Sequence, residues 1–401
     1  MSYRLLVDST EFWQALCLDL ASARERILVQ ALTFEGDAVG QALTKALLAS
    51  SAPDRRIVID CFSKHVVSDC WLSHPRHSFN RPLHEERRQT DVLTERLEHD
   101  GVGVKFVNPF GAFYQHLAAR NHKKLMVVDD RVAYIGGINF SDHNFAWHDL
   151  MIRIERPDVV AFLAEDFEAT WSGHNLARTG RFGDLDLRTL DGPSNEDAFA
   201  PVLELLAYAR KTIFVESPYF MEPFQGALSE AAQRGVAVDF VTPAENNWAL
   251  LGRALAWRGR GDTVRVRHYT PRMTHMKAIL VDDEALVLGS ANFDLMSYRF
   301  QQEYLAIFRD PGLLADFRLR VVEPDIARSV RAATTTSGYR DLAAHWQIAG
   351  LERMAAAVKG MSSRMRVSPH FMRFSGPPTR AGMERAEAGV ARLLCCQPRS
   401  G

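Results

Sequence analysis

Two stretches of this chain follow one ruler. Asn121-His122-Lys123-Lys124-Leu125-Met126-Val127-Val128-Asp129 runs on to Gly136-Gly137-Ile138-Asn139, and Thr274-His275-Met276-Lys277-Ala278-Ile279-Leu280-Val281-Asp282 runs on to Gly289-Ser290-Ala291-Asn292. In both, a lysine stands two residues after the histidine, an aspartate seven, a glycine fourteen and an asparagine seventeen, and the histidines are 153 residues apart. Lysine is scarce, eight residues against forty arginines, yet it follows both histidines at the same distance. One copy would read as a solvated strand end. Two copies with matched glycine and asparagine extensions read as an internal repeat, so the chain has to fold into two similar units.

The repeat reaches upstream. Glu11 to Phe34 and Glu196 to Phe220 each carry an amphipathic helical period, an Ala-Arg pair and an apolar run, Ile27 to Leu32 and Ile213 to Val215. From Arg24 and from Arg210 the isoleucine is three residues on and the phenylalanine ten. Helix followed by buried strand opens an α/β unit. A helix from Asp37 to Leu48 then leads to a strand at Arg56 to Asp60, matched by Phe224 to Arg234 and Val236 to Val241. Val102 to Val107 and Thr263 to Arg267 are strands that feed the motifs. Each motif reads strand, turn, strand: Leu125 to Val128 and Val132 to Ile135 around Asp129-Asp130, Ala278 to Val281 and Ala285 to Leu288 around Asp282-Asp283. The expected organisation is a first lobe over 1–175, a linker over 176–195, a second lobe over 196–328 and a tail over 329–401.

Arg24 to His122 spans 98 residues and Arg210 to His275 spans 65, so the first half holds 33 more. These fall in an insertion at about 63–93, a polar stretch with Cys70, His65, His74, His77 and His84 that reads as a loop acting as a lid or substrate-binding element. Cys70, His74 and His77 match no standard zinc spacing, so no metal and no cofactor are assigned. Residues 331–401 hold eleven Arg/Lys against four Asp/Glu. One helix is expected there, from Arg340 to Val358, with partial disorder around it. The whole chain has a net charge of -1, which gives no global attraction to a polyanion and leaves the basic tail as the contact for an anionic surface. Five cysteines (Cys17, Cys61, Cys70, Cys395, Cys396) form no disulfide framework and suit a reducing compartment. The first residues lack the apolar core of a signal peptide, and no run of eighteen apolar residues occurs.

The repeated residues suit phosphodiester transfer without a metal. A neutral imidazole attacks phosphorus, and a second imidazole protonates the departing oxygen. Lys124 and Lys277 neutralise non-bridging oxygens as charge develops, and Asn139, Asn292 and Ser290 donate hydrogen bonds to them. Gly136, Gly137 and Gly289 let backbone approach closely. A histidine nucleophile needs its second nitrogen held by a carboxylate. Asp149 lies 27 residues after His122 and Glu303 28 after His275, each opening a strand-like run with a proline eight residues on, which makes them matched orienting groups. Asp129 and Asp282 end apolar strands before turns, where an aspartate more often caps backbone amides than does chemistry.

H-x-K-x4-D twice, with GGxN and GSxN extensions, resembles the phospholipase D superfamily over roughly residues 3 to 325. Arg120-Asn121-His122, Trp147-His148-Asp149-Leu150, Ser217-Pro218-Tyr219-Phe220 and Gly289-Ser290-Ala291-Asn292-Phe293-Asp294 through Ser297 to Glu303 are most similar to bacterial cardiolipin synthases, of a type without membrane anchor. The resemblance implies an α/β fold of two αβα-sandwich lobes with mixed β-sheets, related by a pseudo-twofold axis with the active site between them. It implies catalytic roles for His122, Lys124, Asp129, His275, Lys277 and Asp282, and a covalent phosphohistidine. By the family's usual assignment His122 attacks and His275 protonates the leaving glycerol oxygen; the near symmetry of the motifs leaves the opposite assignment open. Phe62-Ser63 replaces the family's usual Gly-Ser after the strand ending at Asp60.

The expected activity joins two phosphatidylglycerol molecules, or a close donor and acceptor pair, and releases glycerol. Hydrolysis to phosphatidic acid uses the same residues and differs only in whether water or an alcohol reaches the intermediate. Nuclease or other phosphodiesterase action is a further alternative, which the acidic body argues against. A retired site is the non-catalytic alternative, opposed by intact His, Lys and Asn in both copies. The expected partners are phospholipid and an anionic membrane surface rather than nucleic acid, with the protein peripheral on the cytoplasmic side of a bacterial membrane. Two stretches are candidates for meeting lipid: Phe110-Gly111-Ala112-Phe113-Tyr114, and Asn247 to Arg260, where Trp248, Leu251, Leu255 and Trp257 accompany Arg253, Arg258 and Arg260.

Overall fold

The computed structural model describes residues 2–111, 114, 116–258, 263–332 and 338–357. They form two compact units, one from residues 2–110 and 121–174, the other from 175 onward together with the described part of 111–120.

In the first unit, β1 (Tyr3–Val7) leads through α1 (Asp8–Ser22), β2 (Arg26–Ala31) and α2 (Ala38–Ala49) to β3 (Asp54–Asp60). A small ribbon of β4 (Val66–Val67) and β5 (Cys70–Trp71) precedes α3 (Arg81–His99). Then come β6 (Gly103–Val107), β7 (Leu125–Val128), β8 (Val132–Gly136), α4 (Asp142–Ala146), β9 (Leu150–Ile154) and α5 (Pro157–Trp171). The main sheet runs β1-β9-β8-β7-β2-β3-β6. β2, β3 and β6 pair in parallel and the β7-β8-β9 meander antiparallel. Alternate strand residues face opposite layers. Ile27, Val29, Met126 and Val128 join the core that contains Phe12, Leu16, Val39 and Leu43 of α1 and α2, while α5 packs on the other side of β2, β7 and β8. Strands covered on both faces need apolar residues throughout, which is why β7 reads Leu-Met-Val-Val without alternation.

The second unit repeats this plan and enlarges it. β10 (Arg178–Arg181), β11 (Leu185–Asp191), α6 (Asn195–Tyr208), β12 (Thr212–Glu216), α7 (Phe224–Gln233), β13 (Ala237–Pro243) and α8 (Ala249–Arg258) are followed by β14 (Val264–Tyr269), β15 (Ala278–Val281) and β16 (Ala285–Gly289). The described residues continue through α9 (Leu295–Arg299), β17 (Gln302–Phe308), α10 (Pro311–Phe317), α11 (Glu323–Ala327), β18 (Ser329–Arg331) and α12 (Tyr339–Ala357). The sheet order β10-β11-β17-β16-β15-β12-β13-β14-β18 contains the order β9-β8-β7-β2-β3-β6 in its six central strands. Even the register repeats: Ile27 pairs with Val128 and Ile213 with Val281. An aromatic cluster of Phe199, Phe220, Phe224, Phe293 and Tyr298 fills one face, with ring centroids 5.1–6.2 Å apart. Each fully buried ring adds about 1.5–3 kcal/mol of burial.

Several expectations are corrected. The 176–195 stretch is no linker: β10 and β11 form the edge of the second sheet, with Leu187 opposite Ala306. Its Leu-Asp-Leu-Arg alternation is that of a half-buried strand. The insertion is no loop either, since α3 occupies 19 residues of it and its neighbourhood and buries Leu83, Leu93 and Leu97. Cys61–Lys64 is a short 3₁₀ turn capped by the Asp60 carboxylate, which accepts from Phe62 N. The second unit continues past 328: β18 pairs with β14, and α12 packs on α8 with Ala344 and Ile348 in the core. Arg258 and Glu352 tie those helices at 2.6 Å, both nearly buried. Leu251, Ala254 and Leu255 of α8 therefore face the core instead of lipid. Phe110 is likewise buried, 5.8 Å from Trp71. Ala112, Phe113, Arg260 and most of the basic tail, with Cys395 and Cys396, lie outside the described residues.

Candidate active site

The histidine of each motif sits just before the first strand of a hairpin, and side chains at the ends of neighbouring strands hold it there. In the first unit Asn121 N donates to Asp60 Oδ2 at 2.6 Å, from the end of β3. Asn121 Oδ1 accepts from Gln30 Nε2 of β2 at 3.0 Å and from Lys123 N at 3.2 Å. His122 follows, only 6% exposed. The two lysines then part company, as neighbours in an extended chain must. Lys123 turns to the α5 face, where Nζ lies 2.8 Å from both oxygens of Asp166 with neither side chain exposed. Lys124 turns the other way and donates to His122 O at 2.7 Å.

The hairpin returns the chain to the same place. Asp129 and Asp130 both have positive φ, 52° and 50°, the type I′ turn that matches strand twist. The Asp129 carboxylate accepts from the backbone amides of Arg24, Glu25 and Arg26 at 2.8–3.1 Å. Partial burial opposes its charge, but these amides outweigh that and hold it below the usual carboxylate range. It lies at the far end of β7 from His122. After β8, Gly137 N donates to Leu150 O at 3.1 Å, and a Cβ on Gly137 would stand 2.3 and 2.4 Å from the Asp149 oxygens. Only glycine leaves room for that carboxylate. Asp149 is 2% exposed and its carbonyl accepts from Asp8 N at 2.8 Å, while Asp8 Oδ1 lies 2.7 Å from His148 Nδ1. Asn139 Oδ1 accepts from Thr33 N at 3.4 Å.

The second unit solves the same problem with different groups. Thr274 takes the place of Asn121 and Glu216 that of Gln30; the hydroxyl donates to Glu216 Oε1 at 2.5 Å. His275 is 5% exposed, and Lys277 Nζ lies 2.9 and 3.0 Å from its ring nitrogens and 2.5 Å from its carbonyl oxygen. Tyr219 stands edge-on to the imidazole, centroids 6.0 Å apart, with its hydroxyl donating to Asn247 Oδ1 at 2.6 Å. Ser290, at the position of Gly137, donates to Glu303 Oε2 at 2.5 Å, and Ser297 donates to Oε1 at 2.8 Å. Both oxygens of this buried carboxylate are thereby fixed. Asn292 N donates to Ser297 Oγ at 3.0 Å, and Asp294 caps α9 by accepting from Ser297 N at 2.9 Å. Burial pushes the Asp294 carboxyl up to about 6, with the Glu303 charge adding to it. Asp282 repeats the Asp129 arrangement, accepting from Arg210, Lys211 and Thr212 amides at 2.7–2.8 Å.

Each unit thus gathers its own histidine, lysine and hairpin-end residues, while Asp129 and Asp282 sit apart as backbone caps. Sequence reasoning assigned no role to Gln30, Asp60, Glu216, Thr274 and Ser297. The signal for Thr274 was its place directly before His275, matching Asn121. Cys70 lies in β5, where burial, helped by the charges of Asp69, Glu35 and Glu86, pushes its thiol up to about 12.

The repeated sheet and the motif it carries define a phospholipase D-like protein. A family model described as cardiolipin synthase, PLD-like domain, matches residues 16–171 and 202–320, and the chain belongs to that family. It is similar to a cardiolipin synthase A of Pseudomonas putida, 28% identical over 77% of this chain and 65% of the relative, and to one of Pseudomonas aeruginosa, 26% identical over 82% and 67%. The chain therefore spans about two thirds of the length of these curated relatives. Among solved structures, the phosphatidylserine synthase of Haemophilus influenzae matches with a TM-score of 0.66 over 88% of this chain and 93% of that one, at 14% identity. A polyphosphate kinase of Porphyromonas gingivalis matches at 0.55 over 89% and 53%, with 13% identity. At those identities the likeness is one of fold.

Proposed function

We propose that this protein is a phosphatidyltransferase of the cardiolipin synthase kind, moving a phosphatidyl group from one phosphatidylglycerol to the hydroxyl of another. The observation that carries the reading is that both units keep the full set of His, Lys and Asn, with Asp149 and Glu303 buried beside them. A retired copy would have no reason to hold Glu303 between two serine hydroxyls.

In the proposed first step an imidazole nitrogen of His122 forms a bond to phosphorus while the bond to the glycerol oxygen breaks, and His275 gives that oxygen its proton. In the second, His275 takes the proton of the incoming glycerol hydroxyl. The new P–O bond forms as the P–N bond breaks, giving cardiolipin and free histidine. Lys124, Lys277, Asn139 and Asn292 stabilise charge on the non-bridging oxygens, and Asp149 and Glu303 orient the imidazoles. No helix among the described residues is long and apolar enough to cross a membrane. The likeness to phospholipid-metabolising proteins supports lipid as substrate and a place at the membrane surface.

The test is incubation with phosphatidylglycerol vesicles and mass analysis of products. Cardiolipin with one glycerol per turnover is the expected result. Phosphatidic acid as the sole lipid product would move the enzyme to the hydrolase class, and inert lipid beside a cleaved oligonucleotide would overturn the lipid reading. His275→Ala should accumulate more phosphoryl-enzyme than His122→Ala; the reverse would exchange nucleophile and acid.

A further inference from the structure

α12 lies on the second unit with apolar residues on two of its sides. The inner side is covered. Ala344 and Ile348 join the core that includes Leu251 and Leu255 of α8, and Leu351 packs against it. Two polar residues of that side meet Arg258 of α8, whose guanidinium lies 2.6 Å from Glu352 and donates from Nε to His345 Nδ1 at 3.1 Å. Glu352 Oε1 also accepts from Glu222 N at 3.2 Å. These contacts fix which way the helix is turned.

The outer side is unlike an ordinary solvent face. A helix seated on a protein surface needs one apolar stripe and is polar elsewhere. Yet Tyr339, Trp346 and Met354 are 78, 55 and 54% exposed. They are seven and eight residues apart, two helical turns each, so they stand in one row about 22 Å long. Arg340 lies 6.0 Å from the centroid of the Tyr339 ring, and Arg353 lies 5.9 Å from that of Trp346. Both arginines are exposed, and among the described exposed residues of α12 none is acidic. The sign of the charge continues downstream, where residues 358–401 hold eight Arg/Lys against two Asp/Glu. An aromatic ring beside a cation suits the depth of lipid headgroups, with the ring toward the acyl chains and the cation on phosphate.

We infer that the outer face of α12 docks this protein on an anionic phospholipid bilayer, with Tyr339 and Trp346 among the headgroups and Arg340 and Arg353 on their phosphates. The inference rests on the reading that the substrate is a phospholipid, and it names the face that meets the lipid surface. That face takes the role which the sequence suggests for α8, whose Leu251 and Leu255 are buried. Each arginine held near an anionic surface adds attraction, and the row of apolar side chains adds buried area.

The test is co-sedimentation of the full chain with vesicles of phosphatidylcholine alone and of phosphatidylcholine mixed with phosphatidylglycerol. The parent should bind the mixed vesicles at least about tenfold more tightly. Tyr339→Ser with Trp346→Ser, and separately Arg340→Gln with Arg353→Gln, should each weaken binding to the mixed vesicles at least about tenfold. Tyr208→Ser, which alters an exposed aromatic of α6, should leave binding unchanged. All the replaced side chains are exposed, so melting temperatures should stay at the parent's value, as should turnover of phosphatidylglycerol in detergent micelles. Equal binding of the parent to both vesicles, or parent-like binding by both α12 variants, would overturn the inference. So would a drop from dimer to monomer mass in the aromatic variant with vesicle binding intact, which would give the face to a second copy. Cardiolipin formation by the parent beside parent-like binding by the variants refutes the docking face alone. Binding that depends on α12 without any lipid turnover refutes the proposed reaction and upholds the face.

Discussion

Replacing Lys123 with methionine tests whether the two adjacent lysines of the first motif have separate jobs. Its ammonium lies 2.8 Å from both oxygens of Asp166, with neither side chain exposed. At that distance and an effective dielectric of ~20, Coulomb's law gives an attraction of about 6 kcal/mol. Methionine removes it from a carboxylate buried under β7. The expected destabilisation is ~3–5 kcal/mol, typical of a broken buried pair. The double variant Lys123→Met/Asp166→Leu, apolar on both sides, should return to within about 1 kcal/mol of the parent. Hydrogen exchange of β7 and α5 peptides reads the effect where it arises. Loss below about 1 kcal/mol would refute the argument. Lys124→Met should leave that exchange unchanged and abolish transfer.

Ser290→Ala removes one of the two hydroxyls on the Glu303 carboxylate and the acceptor for Tyr304 N. A hydrogen bond to a charged group contributes about 1.5–3 kcal/mol, so turnover of phosphatidylglycerol should fall about tenfold to a hundredfold, and an unchanged rate would remove Glu303 from the orienting role. Asp129→Ala and Asp282→Ala delete amide caps, so they should lower melting temperature while keeping far more activity than His122→Ala. Both carboxyls are held below the usual range; their contribution is fully present above the unfolded value near 3.9 and is lost as pH falls from there through the lower folded value, so the variants should lose their disadvantage in acid. Asp294 behaves oppositely. With its folded carboxyl raised to about 6, stability is fully present below the unfolded value and lost as pH rises through 6. Asp294→Asn keeps an acceptor for Ser297 N, and its melting temperature should match or exceed the parent's at pH 8 but not at pH 5; the reverse order would refute the assignment.

The hairpins were legible because an Asp-Asp pair between two apolar runs specifies its own turn, and the α12 helix because its period is uninterrupted. Both depend on neighbours in sequence. The β10–β11 edge was misread because Gly180 and Gly183 look like breakers and half of each strand is polar, as an edge strand with one covered face must be. α3 was hidden for a related reason: Leu83, Leu93 and Leu97 form a thin seam among arginines, glutamates and histidines, and a helix that packs on one side needs no more. At the site, His122, His275 and their lysines announced themselves by spacing. Gln30, Asp60 and Glu216 did not, because they reach the motifs across strand pairings from about 60 to 90 residues away, and register is a property of the folded sheet.

The scarcity of lysine has a practical side once the burial is known. Of eight lysines in the chain, Lys123, Lys124 and Lys277 are at most 2% exposed, whereas Lys45, Lys64 and Lys211 are exposed and arginine supplies most of the remaining surface cation. An amine-reactive dye or resin at limiting stoichiometry will attach through the exposed ammonium groups and pass over those at the motifs. The protein can be tethered to a bead, or tagged for single-molecule work on vesicles, by the most ordinary coupling chemistry, with its histidine motifs shielded by the same packing that holds them in place.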